Sequence, residues 1–185
     1  MKIAYTMVFA FLVAAAAASP ASVNVVNQAI SENELLNAQN GWCQGLIDIS
    51  NTYQKSGQAA AKALAQKVID AAYGYQIGAV LFKPTLAVNP QTFRTTRAGA
   101  LSYFVGGDPA YPNDSGFALK GWTKCEVDNA AIFIGGRVAS MMGKVHFTDK
   151  AGKVATVDKT WTFVKDDNGQ LRIVGHHSSL EYSGQ

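Results

Sequence analysis

Apolar side chains recur at three- and four-residue intervals through the first third of the chain and then give way to alternation, which divides the sequence into a helical front and a strand-rich back. Leu35, Ala38, Trp42, Leu46, Ile49 and Tyr53 form one helical stripe. It is preceded by Ser31-Glu32-Asn33-Glu34, a capping box in which Ser31 and Glu34 satisfy each other's amides. The spacing predicts a helix over about residues 31–55, a break at Ser56-Gly57, and a second helix from Gln58 to Tyr73 with Leu64, Val68 and Ala72 on its stripe. Gln76 to Phe82 is a short apolar run that predicts a buried strand. Lys83-Pro84-Thr85-Leu86-Ala87 follows as extended chain, because Pro84 biases Lys83 away from helix. Thr95 to Val105 predicts a short helix ending at Gly106-Gly107. Asp108 to Gly116, rich in Pro, Asn, Asp, Ser and Gly, predicts a loop and a candidate lid.

From Phe117 onward the pattern predicts a meander of strands. Turn signals fall at Asp128-Asn129, Gly135-Gly136, Asp149 to Gly152 and Asp166 to Gly169, the last holding Asn-Gly between two alternating segments. Helices first and a curved antiparallel sheet afterwards is an α+β pattern. The final strand, Arg172 to Ser179, carries two of the three histidines and a pair of hydroxyls. Strict alternation places Arg172, Val174, His176 and Ser178 on one face and Ile173, Gly175, His177 and Ser179 on the other. Adjacent His176 and His177 therefore point apart and do not share one metal. With Leu171, Ile173 and Gly175 outside, and Trp161 and Phe163 on the preceding strand, the outer face reads as apolar enough to pair two copies of the chain.

The amino terminus reads as a cleaved leader rather than as fold. Lys2, the apolar run Met7 to Ala18 and the small residues around Ala21 have the order of a secretory signal peptide, which predicts a leader over residues 1–21 and one domain over 22–185, periplasmic or secreted. With Lys2 gone, 16 basic residues become 15 against 13 acidic ones, about +2. That charge is weak and scattered, so nucleic acid is not predicted as a partner, nor a membrane once the leader is removed. Cys43 and Cys125 are far apart and lie in a chain expected to meet an oxidising compartment; a disulfide between them is permitted but not demanded. No CxxC spacing is present, so zinc held by thiolates is disfavoured.

Gly41-Trp42-Cys43, Phe82-Lys83-Pro84-Thr85, Ala100-Leu101-Ser102-Tyr103-Phe104 and His176-His177-Ser178-Ser179, in that order, resemble the iota-class carbonic anhydrases over nearly all of the mature chain. The resemblance implies a cone-shaped, nuclear-transport-factor-like α+β domain, similar to the association domain of a calcium/calmodulin-dependent kinase, that forms homodimers. It also implies reversible hydration of carbon dioxide to bicarbonate, and a polar pocket of Thr85, Tyr103, His176 and Ser178. The i, i+2 spacing of His176 and Ser178 agrees with this, since they share a face.

Hydration needs a nucleophilic water and stabilised negative charge on the developing bicarbonate. A zinc-bound water would serve, but the other histidine, His146, lies on a different strand and no HxH or ExxH spacing begins a site. The inventory predicts no cofactor, with hydroxyls orienting water and bicarbonate and His176 as proton acceptor or shuttle. Zinc or manganese stays open, because metal dependence varies among the family that the chain resembles. Two other readings use the same fold: a non-catalytic binding or assembly module, and a cone-fold isomerase or cyclase. The last is disfavoured because Asp108, Asp114, Asp128, Asp149, Asp158, Asp166 and Asp167 fall mostly in turns, which leaves no pocket carboxylate as base.

Overall fold

The computed structural model describes residues 26–184, so the leader expected over residues 1–21 lies outside the described residues. Helix α1 runs Glu32–Ala72, strand β1 Leu81–Lys83, helix α2 Arg97–Val105, and β2 to β5 are Trp122–Gly135, Val138–Asp149, Val154–Lys165 and Leu171–Ser179. The sheet order is β1-β5-β4-β3-β2, with β1 parallel to β5 and the other neighbours antiparallel. The α+β class is the predicted one.

Helix α1 opens with the expected capping box, Ser31 Oγ accepting from the Glu34 amide and the Glu34 carboxylate from the Ser31 amide. Beside the Lys165 ammonium and these donors the Glu34 carboxyl is held at about 2. Gly57, at φ 78° and ψ −178°, breaks the helix where Ser56-Gly57 predicts, so α1 consists of two helical segments. They pack against each other: a Cβ on Gly45 would come within 2.8 Å of Val68, so glycine is needed there for the close approach. The first segment buries Leu35, Trp42, Leu46 and Ile49. The second buries Ala61, Ala65 and Ile69 rather than the expected Leu64, Val68 and Ala72, which are only partly covered. The small alanines let the helix sit close to the core while the larger residues flank it.

Other expectations shift. The apolar run from Gln76 contributes only β1, because Gly74 to Gly78 closes as a turn, with the Ile77 and Gly78 amides donating to the Gly74 carbonyl. Asp128-Asn129 is no hairpin. Strand β2 passes straight through it with a register shift between Asn129 and Ala131, and the Asn129 amide exchanges hydrogen bonds with buried Gln39 (2.9 and 3.0 Å). The turns at Gly135-Gly136, Asp149 to Gly152 and Asp166 to Gly169 fall between strands as expected. The candidate lid is tied down, since Asp114 meets Arg94 at 2.7 Å with both side chains buried.

The most consequential departure is in β5. Between Thr162, paired with Gly175, and Phe163, paired with Ile173, the register slips and leaves Val174 unpaired. A slipped residue reverses the faces, so Ile173 turns inward along with His176 and Ser178. Ile173, Trp161 and Phe163, read from alternation as an outer apolar patch, are at most 1% exposed and belong to the core. The outward face carries Phe133, Met142 and His177 instead.

Cys43 on α1 and Cys125 on β2 are joined by a disulfide across 82 residues of chain. Tying the first helix to the far strand restricts the unfolded chain most, because the loop it closes is long. Replacing both cysteines with alanine is expected to lower the unfolding free energy by about 2–4 kcal/mol in urea titrations, with the fold retained.

Candidate functional site

His176 is brought to the centre of the molecule by β5 and is 2% exposed. Its ring stacks on Phe82 (4.3 Å between centroids) and meets Trp42 and Trp161 edge-on, each at 5.6 Å. The parallel pairing of Phe82 with His176 sets this contact. Both ring nitrogens are engaged: Nδ1 lies 2.8 Å from the Tyr73 hydroxyl and Nε2 2.8 Å from Lys159 Nζ. The Trp42 indole donates to the Tyr73 oxygen at 2.9 Å. Burial, reinforced by the Lys159 charge, pushes the His176 pKa well below 6.5, so the ring is neutral. Burial likewise raises the Tyr73 phenol, which stays protonated.

Lys159 is 4% exposed, an unusual place for a lysine. Its amine lies 5.0 Å from the Trp42 ring and 5.2 Å from Trp161. Burial alone lowers its pKa to about 7. No carboxylate is among the residues that line the adjoining cavity, which are Trp42, Phe82, Pro84, Thr85, Tyr103, Phe104, Phe117, Lys159, His176 and Ser178.

Beside Lys159, whose register partner on β5 is Ser178, stands a hydroxyl pair. Because β1 runs parallel beside β5, the Lys-Pro-Thr segment leaves β1 next to Ser178, and Thr85 Oγ1 donates to Ser178 Oγ at 2.6 Å. Lys83 Nζ donates to the Ser178 carbonyl (3.2 Å). Tyr103, from α2, is 6% exposed, lies edge-on to Phe82 and stacks on Phe117. Burial raises the pKa of its hydroxyl, an effect that the nearby backbone at Leu86 and Thr85 partly offsets. The enclosed space open to the centre of a water is about 10 Å³, room for about one water.

All four residues that the sequence singles out, Thr85, Tyr103, His176 and Ser178, thus line one cavity. His177 faces outward and is exposed, as alternation requires. His146 lies elsewhere, bonded to Thr156 (2.9 Å). Arg172, which the sequence reading leaves outside the site, bonds Asp166 and the carbonyls at the end of α1. The expectation that His176 accepts a proton directly meets a ring with neither nitrogen free. A larger open groove of about 760 Å³ runs past Asp70, Arg97 and Arg172, but Arg97 is paired there with Asp70 and Arg172 with Asp166.

The sequence reading misses Lys159, Tyr73 and Trp42 as parts of this site. For Lys159 a signal exists: Val157, Lys159, Trp161 and Phe163 share one face of β4, a lysine on an apolar stripe. For Tyr73, at the end of α1, nothing in the sequence marks its placement beside a strand a hundred residues on.

Residues 33–180 match the family described as metal-independent carbonic anhydrase. A metal-independent carbonic anhydrase of a Nostoc species is 63% identical over 166 residues, 90% of this chain and 81% of the relative. The crystal structure of a cyanobacterial iota-carbonic anhydrase complexed with bicarbonate superposes with a TM-score of 0.86 at 62% identity, covering 88% of this chain and 99% of the other. A calcium/calmodulin-dependent protein kinase II association domain from Xanthomonas campestris has a TM-score of 0.55 at 21% identity over 91% of this chain and 95% of its own, a likeness of fold alone.

Burial of the amine makes stability depend on pH. The folded protein releases the Lys159 proton near pH 7, the unfolded chain near 10.5, so between these values unfolding takes up a proton and stability rises with pH. In urea titrations the stability of the wild-type protein relative to Lys159→Met should therefore climb from about pH 7 toward about pH 10. A constant difference would show that the amine keeps its proton in the fold.

Proposed function

The chain belongs to the metal-independent carbonic anhydrase family, and we propose that it hydrates carbon dioxide reversibly to bicarbonate in the cavity between Thr85, Tyr103, His176 and Ser178. The observation that carries the assignment to this cavity is the chemistry of its lining: an enclosed space, aromatic on most sides, with three hydroxyls among its walls. An apolar wall of Trp42, Phe82, Phe104 and Phe117 suits an uncharged substrate. The hydroxyls suit the bicarbonate that it becomes.

The hydrogen-bond directions assign the work. Thr85 spends its hydrogen on Ser178, which leaves the Ser178 hydrogen for the cavity. The Tyr103 hydroxyl, kept protonated because burial raises its pKa, lines the same cavity and supplies a second donor. Two donors fixed by the fold before the reaction begins stabilise charge developing on the carbon dioxide oxygens, without reorganisation during the step. A purely binding role would leave the same cavity without turnover, and the family membership does not favour it.

The chemistry needs no resident metal in this reading, which rests on the family to which the chain belongs. Export of a form beginning near Ser22 is part of the same proposal, carried by the leader pattern of the sequence. So is a homodimer. Its face is now the outer side of the sheet around exposed Phe133 and Met142, because the residues first read there lie in the core.

Thr85→Val, Tyr103→Phe and Ser178→Ala each remove a hydroxyl and little volume, and are expected to cut carbon dioxide hydration by about 10²-fold in stopped-flow assays while unfolding stays cooperative. His177→Ala, on the opposite face, should leave the rate unchanged. Activity should survive exhaustive chelation. Loss of turnover on chelation with recovery on adding zinc would overturn the hydroxyl mechanism.

A further inference from the structure

The hydroxyl site leaves one requirement of the reaction without an owner, which is the proton that the attacking water must lose. The candidates are the polar groups lining the cavity. Thr85, Ser178 and Tyr103 are hydroxyls, which hold their protons at neutral pH; Thr85 donates to Ser178, and burial raises the Tyr103 phenol further from any role as a base. His176 has both nitrogens committed, to Tyr73 and to Lys159. Among the described residues no carboxylate lines the space. What is left is the Lys159 amine, which lines the cavity, has no ion-pair partner among the described residues, and lies against two indole rings.

We propose that Lys159 is the general base that takes the proton from the attacking water, and that His176 positions it rather than accepting the proton itself. The proposal rests on carbon dioxide hydration being the reaction of this cavity. As the water oxygen bonds to carbon, one of its O–H bonds breaks and that proton bonds to the lone pair of Nζ. One C=O electron pair moves onto oxygen, and the products are bicarbonate and the Lys159 ammonium. The ammonium returns its proton to solvent water as bicarbonate leaves.

The surroundings suit an amine that changes charge. At 2.8 Å, Nζ and Nε2 hold one hydrogen between them. When Nζ supplies it, the amine lone pair turns to the cavity; when Nζ gains a third proton, this arrangement persists, the ammonium donating to a bare Nε2 while Nδ1–H donates to the Tyr73 oxygen. The faces of Trp42 and Trp161 give the cationic form a partial substitute for water. Bicarbonate in the cavity supplies the counter-charge. The other charged or titratable groups nearby are Tyr73 behind the imidazole, Tyr103 across the cavity, and Lys83, whose ammonium is held by the Ser178 carbonyl. Neither phenol competes as acceptor, since burial raises both, and burial keeps Lys159 itself near 7.

The test is the pH profile of carbon dioxide hydration by the full-length protein and by Lys159→Met, Lys159→Arg and Lys159→Ala, between about pH 6 and about pH 9. In the wild type, kcat should rise through a midpoint near 7. The Met and Arg variants should lose about 10²-fold or more and the pH-dependent limb with it, since one has no amine and the other never gives up its proton. Methylamine added to Lys159→Ala should restore part of the rate, with a profile that follows the added amine. A flat wild-type profile overturns the proposal without recourse to any variant. So does a Lys159→Met protein within about threefold of wild type that retains the wild-type midpoint. Both results would leave the hydration reading standing; that reading fails if the wild type itself shows no turnover.

Discussion

A lysine amine buried with no carboxylate partner among the described residues is the constraint around which this protein is arranged. Taking an ammonium out of water with nothing to balance it is among the costliest things a fold can do, and the usual escape is loss of the proton. Lys159 takes that escape, its pKa lowered by burial to about 7. The groups around it then make sense together. His176 supplies a polar contact that accepts either protonation state, Tyr73 and Trp42 hold His176, and the two indole faces make the charged form tolerable. A group balanced between two charge states in a small, enclosed cavity suits a reaction that turns a neutral substrate into an anion and a proton.

The scaffold serves this cavity by register. One short parallel pairing, β1 against β5, sets Phe82 under His176 and delivers Thr85 to Ser178. The extra residue at Val174 keeps both ends of β5 facing inward, Ile173 into the packed core and His176 and Ser178 into the site. Without that bulge, a strand with Ile173 inside would turn both polar residues to the outside. The disulfide ties α1, which supplies Trp42 to the cavity wall, to β2, and the buried Arg94–Asp114 pair fastens the loop before Phe117.

Local signals in the sequence carried a good part of this structure. The capping box, the helical stripe from Leu35, the break at Gly57 and the hairpin turns are set by short-range chemistry and are where the pattern puts them. The i, i+2 spacing of His176 and Ser178 and the resemblance of Lys-Pro-Thr and Ser-Tyr-Phe segments to a known family gathered four residues that do line one cavity. What escaped depends on tertiary context. The bulge in β5 is invisible to alternation, so Ile173, Trp161 and Phe163 read as outside when they are core. Asp128-Asn129 has turn chemistry, yet Gln39 pairs with Asn129 inside a continuous strand. Lys159 was legible in principle as a charge on an apolar stripe, but its partners come from α1 and β5, and no spacing in the sequence connects Tyr73 to His176.

The charge state of that amine can be observed without a variant and without turnover. In protein carrying nitrogen-labelled lysine, the side-chain resonance of Lys159 should titrate with a midpoint near 7 and stand as a neutral amine above it. A Lys159 resonance that remains an ammonium from neutral pH to about pH 10 would contradict the account, because a base that never releases its proton cannot take one from water.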